Sequence, residues 1–392
     1  MPFRIALSGL NAASADLSVT AHNIANASTL GFKQFRTEFS DVLSDGVQLA
    51  AETQRFGQGA VDFTGSPLDM SITGEGFFTL SDGGGLVYSR AGAFGVDNEG
   101  YVVNSANQRL QVYPDAGSGI FDVGALQDLR LATGSSQPVA TSFTEVGVNL
   151  PSEEPIPVGP FDPDDPSTFN FTTSITTYDS LGTEHTSTLF FGKTATPNMW
   201  DVRLYVDDNP VGPANTLEFS SNGTLTDPAS GTVAMAPYDP GNGSDPMVMD
   251  FDFSLTTQYG GEFVVNTLNQ NGLNVGRLTG IDIDGSGRVL ARFTNGRSQS
   301  LGQIALTNFS NFQGLQTLGD NTWGETFASG PPLRGEAGKG SLGLVQSGSL
   351  EQSNVDLTAQ LVQMITAQRN FQANAQMIST ADTVTQTIIN LR

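Results

Sequence analysis

Cysteine is absent from the 392 residues of this chain, and basic residues are few. Without cysteine there is neither a disulfide framework nor a thiolate metal site, and the redox compartment cannot be read from the sequence. Lys and Arg total 17 against 40 Asp and Glu, which gives a net charge of −23. Nucleic acids and anionic membrane surfaces both demand a basic patch, so the composition argues against either as a partner.

Long apolar runs are also missing. No stretch approaches the about 20 residues of a membrane-spanning helix, so no membrane insertion is expected. Arg4 and the apolar residues 5–10 look like the start of a secretory signal, with a small-residue site at 13–15. The run is shorter than the usual h-region of about 7 to 15 residues, however, and a helical pattern continues through the supposed cleavage site. Any export is therefore expected to leave the N-terminus in place.

Recognisable catalytic motifs are missing as well. His22 and His185 are the histidines of the chain, and the nucleophile-elbow pattern G-x-S-x-G does not occur. Residues 282–287 resemble the first half of a calcium loop, but Ala291 stands where a bidentate Glu is required. A hairpin turn explains that segment better. The sequence therefore predicts no enzyme, no metal site and no cofactor.

A long uninterrupted helix pattern occupies the C-terminal end. Residues 354–392 contain neither Gly nor Pro, although the chain holds 45 Gly and 19 Pro. Asn354 is the predicted helix cap, with Asp356 in the first turn. Apolar side chains recur at steps of three, four or seven and form one stripe along the helix: Leu357, Leu361, Met364, Phe371, Ala375, Ile378, Ala381, Val384, Ile388 and Leu391.

The opposite face of this helix is polar but almost uncharged, and it includes Gln363, Gln372 and Gln376. A helix in water usually carries Glu and Lys pairs. Burying a charge costs far more than burying an amide that finds a partner, so a packed or enclosed face favours amides. We interpret this face as packed or enclosed; a solvated polar face is the alternative.

A second amphipathic helix is predicted at the N-terminus. Pro2 suits its first turn, and Gly31 is the predicted stop. The two terminal helices either form an ordinary core pair or, in the interpretation we prefer, lack their full partners within the monomer. Isolated helices of this kind are marginal in water. The N-terminal stripe consists of Phe3, Leu7, Leu10, Leu17, Ala21 and Ile24.

Between the helices the pattern is β. Phe35 and Phe39 are predicted to prolong a helical turn, and from Met70 onward short apolar runs alternate with turn signals, which is typical of antiparallel β domains. Residues 151–167, rich in Pro and Asp, indicate a linker or long loop. We predict a mainly β fold with α-helical termini and four parts: a helical domain of 1–31 plus 354–392, connecting segments 32–69 plus 330–353, a discontinuous β domain of 70–147 plus 278–329, and an inserted outer β domain of 148–277.

Three short motifs stand near the N-terminus: S-G-L-N-A at residues 8–12, H-N-I-A-N at 22–26 and T-L-G-F-K at 29–33. They resemble the N-terminal signature of the bacterial flagellar rod and hook proteins, which reads S-G-L-x-A, N-N-I-A-N and T-x-G-[FY]-K. His22 stands where Asn is usual in that family. The motif residues that the resemblance singles out are Asn23, Ile24, Ala25, Asn26, Gly31, Phe32 and Lys33.

The resemblance extends to the middle and the end of the chain. Residues 74–78 and 88–94 are similar to the β domain that the family shares, and residues 348–356 and 364–371 are similar to its terminal helix. The length of the chain and the inserted domain resemble the hook branch, because rod proteins are shorter and largely lack that insertion.

The resemblance implies a fold in which the terminal helices form the inner coiled-coil domain of a tubular polymer and two nested β-rich domains stack outward. It implies a self-assembling, curved extracellular hook that passes torque from rod to filament as a universal joint. An export channel runs through the centre, and Gln363, Gln372 and Gln376 are the candidate channel-facing residues. Implied partners are further copies of the chain, the flagellar rod, the hook cap, the hook–filament junction proteins and the flagellar type III export apparatus, through which the chain passes uncleaved. The alternatives are a distal rod type of axial protein, or a secreted β-rich binding protein or hydrolase.

Overall fold

A computed structural model describes residues 2–43, 46–117, 119–131 and 134–390. The described residues form two compact units. The first is drawn from residues 1–133, 280–292 and 298–392, and the second from residues 134–279 and 293–297. The predicted fold class, mainly β with helical termini, is confirmed. The four-part domain division is finer than these two units and stays a prediction.

Helix α1 spans Pro2–Ala25 and helix α2 spans Leu357–Asn390. Asp356 caps α2, because its carboxylate accepts the amides of Thr358 and Ala359 at 2.8 and 3.1 Å. The predicted cap, Asn354, is therefore wrong. The predicted stop at Gly31 is also wrong, since α1 ends six residues earlier and turns fill the interval. Neither helix is long and apolar enough, over its described residues, to cross a membrane.

The first unit begins its β structure with a hairpin that packs against α1. Phe35 and Phe39 lie in its first strand, so the predicted helical turn is wrong; residues 46–54 supply the antiparallel backbone partners instead. The strands of this stretch are β1 Phe35–Val42, β2 Gly46–Gln54, β3 Val61–Phe63, β4 Met70–Thr73, β5 Phe77–Asp82, β6 Gly85–Ser89, β7 Gly95–Val96, β8 Val102–Val103, β9 Arg109–Tyr113 and β10 Gln127–Asp128.

The second unit packs two β-sheets around one core. In β14 every second residue is buried from Trp200 to Val206, the period-two pattern of a strand with one face inward. The sheet orders are β18-β19-β11-β20 and β12-β13-β14-β16-β17, and side chains of both sheets share the core. The strands are β11 Phe143–Asn149, β12 Phe171–Tyr178, β13 Glu184–Lys193, β14 Met199–Val206, β15 Asn209–Pro210, β16 Asn215–Phe219, β17 Leu225–Asp227, β18 Thr232–Ala234, β19 Asp250–Asp252 and β20 Val264–Gln270.

The chain then returns to the first unit and completes its main sheet. The order β21-β22-β23-β9-β5-β6-β26-β25 places late strands on both sides of early ones. Met70, Phe78 and Leu306 are fully buried in its core. The last strands are β21 Leu278–Ile283, β22 Arg288–Phe293, β23 Ser298–Ile304, β24 Leu306–Asn308, β25 Gln316–Gly319, β26 Thr322–Gly324, β27 Leu333–Gly335, β28 Leu344–Ser347 and β29 Ser349–Glu351.

Candidate assembly surface on the terminal helices

Helices α1 and α2 pack against each other through small residues. A Cβ atom added to Gly9 would lie 2.7 Å from Oδ1 of Asn374, so the two helices approach closely there. Residues three and four apart share one face of a helix, which places Ala6 and Ala13 on the same face as Gly9. Both alanines are buried, as is Ala367 on α2. Small side chains therefore make this intramolecular seam.

Amide side chains join the helices along the same seam. The Asn23 amide donates to Oε1 of Gln360 at 3.1 Å, and both side chains are buried. Gln363 donates to Oδ2 of Asp16 at 2.9 Å. The contacts run from Gly9 with Asn374 to Asn23 with Gln360, so the helices are antiparallel. Part of the uncharged face predicted on α2 is thus occupied within the chain.

Large apolar side chains of both helices remain in solvent. A groove of 790 Å³ lies between Phe3 on α1 and residues 373–385 of α2. Clusters of this kind on a soluble protein are typical of sites that bind another protein. The exposed large apolar side chains of the pair are Phe3, Ile5, Leu7, Leu357, Leu361, Val362, Ile365, Met377 and Val384.

The predicted apolar stripes are divided between exposed and half-buried positions. On α1, Phe3, Leu7 and Ala21 are exposed, and Leu10, Leu17 and Ile24 are half-buried. The α2 stripe is divided in the same way. Leu357, Leu361 and Val384 are exposed, whereas Met364, Phe371, Ala375, Ile378 and Ala381 are half-buried. The side chain of Ile388, and Leu391 as a whole, lie outside the described residues.

The candidate channel-facing residues differ in their surroundings. Gln372 and Gln376 are exposed on α2, and Gln376 also lines the groove beside Phe3. Gln363 is exposed but bonded to Asp16, so its amide turns toward α1.

The Asn residues of the N-terminal motif fix the end of α1. Asn23 accepts the amide of Phe35 at 2.9 Å and donates to the carbonyl of the same residue at 2.8 Å, which ties α1 to the first strand of the hairpin. Asn26 donates to the carbonyl of His22 at 3.0 Å and accepts the hydroxyl of Thr29. Of the other motif residues in the helix, Ile24 is half-buried and Ala25 exposed.

Gly31 and Phe32 carry the chain from α1 into the β structure. Gly31 has φ +68°, and a Cβ there would lie 2.5 Å from the amide nitrogen of Ala91, so only glycine fits. Its own amide donates to the carbonyl of Glu351 at 2.9 Å. Phe32 is buried, and its ring lies 5.6 Å from the ring of His22.

Lys33 forms a fully buried ion pair at the junction of the two chain ends. Its Nζ lies 2.6 Å from Oε1 of Glu351, and both side chains are 0% exposed. Nζ also donates to the carbonyl of Gly57 at 2.8 Å, while Arg90 approaches the other carboxylate oxygen at 3.7 Å. Burial lowers the pKa of Lys33, and the Glu351 carboxylate opposes that effect. The cluster joins the segments that lead into both terminal helices.

Glu351 and Arg90 were missed as functional partners of Lys33. They are 318 and 57 positions away along the chain, and spacing alone cannot pair such distant charges. One available signal is that each of the three charges lies within a stretch that matches the family motifs.

His185 in the second unit lies between two carboxylates. Its Nδ1 is 2.5 Å from Asp207 and its Nε2 is 3.4 Å from Asp179. Desolvation alone raises the pKa of Asp179, but hydrogen bonds from Asn242, the Thr183 amide and His185 outweigh it and hold that pKa well below its usual range. Since both ring nitrogens face an acid, neither is left to activate a nucleophile. The cluster connects the segment at Asp179 with the segment at Asp207 through the imidazole of His185.

Four family models match the chain in consecutive segments. Residues 3–33 match the flagella basal body rod protein model, and residues 71–152 match the flagellar hook protein FlgE/F/G D1 domain. Residues 149–273 match the flagellar basal body protein FlaE D2 domain, and residues 346–391 match the flagellar basal body rod FlgEFG protein C-terminal model.

Full-length relatives carry one name. A flagellar hook protein FlgE of Escherichia coli strain K12 is 38% identical over 407 residues, and the match covers 100% of both chains. Proteins of the same name are 33% identical in Rhizobium meliloti strain 1021 and 31% identical in Treponema pallidum strain Nichols. These two matches cover at least 98% of each chain.

A solved structure supports the fold. The crystal structure of Helicobacter pylori flagellar hook protein FlgE2 superposes with a TM-score of 0.52. The superposition covers 74% of this chain and 99% of that one, at 13% sequence identity. At this identity the likeness concerns the fold alone.

Proposed function

Because this chain belongs to the family of bacterial flagellar hook proteins, we propose that it is the structural subunit of a flagellar hook. In this role it polymerises into a curved tube that transmits torque from the rod to the filament as a universal joint and encloses an export channel. The family is structural rather than enzymatic, and the buried, doubly paired imidazole of His185 accords with a structural role.

The exposed apolar surface of the terminal helix pair carries this proposal. The two helices use alanine, glycine and amides against each other and leave Phe3, Leu7 and Leu361 in solvent. Burying such a side chain fully contributes about 1.5 to 3 kcal/mol. A second copy of the pair can bury them through a head-to-tail contact, and a head-to-tail contact that does not close generates a helical tube.

In this proposal the two apolar stripes make contacts between subunits. Residues 1–31 and 354–392 form the assembly domain, residues 32–69 and 330–353 connect it to the β structure, and the parts 70–147 plus 278–329 and 148–277 form the inner and outer β domains. The ion pair of Lys33 with Glu351 holds the two chain ends together where they enter the assembly domain.

The partners follow from the place of a hook in the flagellum. They are the rod below, the cap at the growing end, the junction proteins toward the filament, and the type III export apparatus, which passes the chain out with its N-terminus uncleaved. N-terminal sequencing of hooks sheared from cells tests the last point; a mature terminus beyond residue 13 would refute it.

Electron microscopy of the purified full-length chain tests the proposed function directly. Curved tubes are expected on polymerisation. A Leu361→Ser variant should raise the protein concentration needed for tubes at least tenfold, with the β structure unchanged by circular dichroism. The matched control is Thr358→Ser, an exposed position of the same helix. Straight tubes would indicate a rod protein, and the absence of any polymer would contradict the proposal.

A second proposal places Gln372 and Gln376 on the wall of the export channel. Both are exposed and uncharged on α2, and amides offer passing chains little electrostatic attraction. Gln372→Lys should slow the secretion of filament subunits. In Gln363→Lys the ammonium group can pair with the Asp16 carboxylate that Gln363 now contacts, so this variant should slow secretion less than Gln372→Lys. Undiminished secretion and motility in Gln372→Lys cells would overturn this proposal.

A further inference from the structure

Phe327, in the loop between β26 and β27, is fully exposed to solvent. Its relative exposure is 105%, whereas the next most exposed phenylalanine among the described residues is Phe63 at 76%. Burying a side chain of this size removes 150 to 250 Å² from water, so leaving it outside forgoes a large stabilisation. The helix seam and the ion pair described above do not use this residue.

Hydrogen bonds hold the loop on both sides of Phe327. The Thr326 hydroxyl donates to the carbonyl of Gly314 and accepts the amides of Ala328 and Ser329 at 3.1 and 3.3 Å. Ser329 is fully buried and donates back to the Thr326 carbonyl at 2.8 Å. Both neighbours of Phe327 are thereby held in place, which fixes the backbone that presents the ring to solvent.

The backbone of the loop after Phe327 packs closely against the preceding 3-10 turn. Asn311 donates to the carbonyl of Ala328 at 3.0 Å. A Cβ atom on Gly314 would lie 2.4 Å from the Ala328 carbonyl carbon, so the backbone of the loop rests directly on the turn at Phe312–Gly314. An aromatic side chain on a fixed backbone has only two side-chain torsions to order on binding, which makes it an effective interface anchor.

We propose that Phe327 inserts into a recess of a neighbouring copy in the polymer and forms a subunit contact separate from that of the terminal helices. This inference rests on the proposed function. Two observations favour a second copy as the partner. One is charge: each copy carries a net charge of −23, so copies repel one another, and the uncharged residues 326–333 add nothing to that repulsion.

The second observation is the surface that accompanies the loop. Strand β25, which pairs with the strand β26 just before the loop, is exposed at all four residues and lies at one end of the main sheet order. Leu318 within it and Leu333 just after the loop are about half exposed. An exposed edge strand followed by an exposed aromatic side chain is a surface that another folded chain can cover.

Photo-crosslinking of the full-length chain tests the contact. Benzoylphenylalanine at position 327 should yield a product of twice the chain mass when assembled tubes are irradiated, and no such product in dilute monomer. Peptide mapping then identifies the recess. Tubes that assemble normally but give no crosslink between copies would overturn the inference and leave the proposed function standing. If the unmodified chain forms no tubes, the proposed function itself fails.

Substitutions give an independent test. Phe327→Ser should raise the critical concentration for polymerisation about tenfold, which corresponds to about 1.4 kcal/mol per contact. Its thermal unfolding should match that of the unmodified chain, because the ring makes no contribution to the folded monomer. Phe327→Tyr keeps the ring and should polymerise within twofold of the unmodified chain. Equal critical concentrations for the Ser and Tyr variants would contradict the inference.

Discussion

Lys33 shows how much of the stability of this molecule rests on one buried charge. Its ammonium group is balanced by Glu351 at 2.6 Å, and neither side chain reaches solvent. Lys33→Met should destabilise the first unit by about 3 to 5 kcal/mol, because it leaves a buried carboxylate without its closest partner. Chemical denaturation followed by circular dichroism measures the change.

The chain supplies a matched control for that substitution. Lys339 pairs with Glu336 at the same distance of 2.6 Å, but the lysine side chain is 71% exposed. Lys339→Met should therefore cost less than about 1 kcal/mol. The double variant Lys33→Met with Glu351→Leu should recover part of the loss, since the unpaired carboxylate is gone while the buried Arg90 loses its contact with Glu351. If both lysine substitutions lowered the free energy of unfolding equally, burial of the Lys33–Glu351 pair would not contribute to stability.

The carboxylates around His185 predict an acid-sensitive second unit. Although desolvation opposes it, hydrogen bonding lowers the pKa of both Asp179 and Asp207 in the folded chain. A lowered folded pKa adds stability above the unfolded value of about 3.9, and this stability is lost as the pH falls through and below that value. Thermal stability of the second unit should therefore drop below about pH 4.

Asp179→Asn tests that account. The variant should be less stable at pH 7 and should show a flatter pH dependence in acid, because the titrating carboxylate is gone. Trp200 is buried in the second unit and reports its unfolding by fluorescence in a Trp323→Phe background. Asp164→Asn, at an exposed loop position, is the control. An acid transition as steep in Asp179→Asn as in the parent would count against the carboxylate.

At the scale of elements, the helix seam depends on the small size of its residues. Ala13 is buried on the α1 face that also carries Gly9 and Asp16, both in contact with α2. Ala13→Leu should separate the helices and cost about 1 to 3 kcal/mol through overpacking. The neighbouring Ser14→Leu, at an exposed position, should leave the pair intact. The helical signal at 222 nm during thermal unfolding distinguishes them, and an unchanged melt for Ala13→Leu would disprove the seam.

The sequence predicted the existence of both helices but not the face by which they meet. Periodicity selects stripes in which some residues, such as Leu7 and Leu361, are exposed in the single chain, whereas others, such as Phe371, are half-buried. The fully buried residues of the seam include Ala6, Ala13 and Ala367, whose small side chains give a weak periodic signal. A helix face that packs within the chain and a helix face that binds another copy have the same hydrophobic periodicity, so a single sequence does not distinguish them.

Long-range pairing explains the other errors. The hairpin at Phe35 was missed because the hydrogen bonds come from its partner strand, residues 46–54. The local secondary-structure propensity of residues 35–42 carries no information about that partner. Asn354 resembles a cap, yet its Oδ1, the acceptor that capping requires, is taken by the backbone amide of Gln34 at 2.8 Å. The alternating strands of the second unit, by contrast, were recognisable because burial there has period two.

At the scale of the whole molecule, the ends of the chain are its least buried helical parts. Beyond Ala367, the described side chains of α2 are exposed or half-buried, and those of α1 before Ala6 are exposed. Such segments open locally at low free energy, whereas the β units bury continuous cores. Residues 1–30 and 355–392 should therefore be cleaved first when the monomer is treated with a nonspecific protease.

Polymerisation should reverse this sensitivity, because neighbouring copies cover the apolar surface of the helix pair. Limited proteolysis of monomer and tubes at equal mass concentration, followed by mass spectrometry, should show cleavage within residues 1–30 and 355–392 in the monomer alone. The exposed loop at 151–167 serves as the internal control: a cut there that is slowed as much as the terminal cuts would indicate general exclusion of the protease from the tube. Terminal helices protected equally in both states would mean that they are complete within one chain, and the apolar stripes would then have no role between subunits.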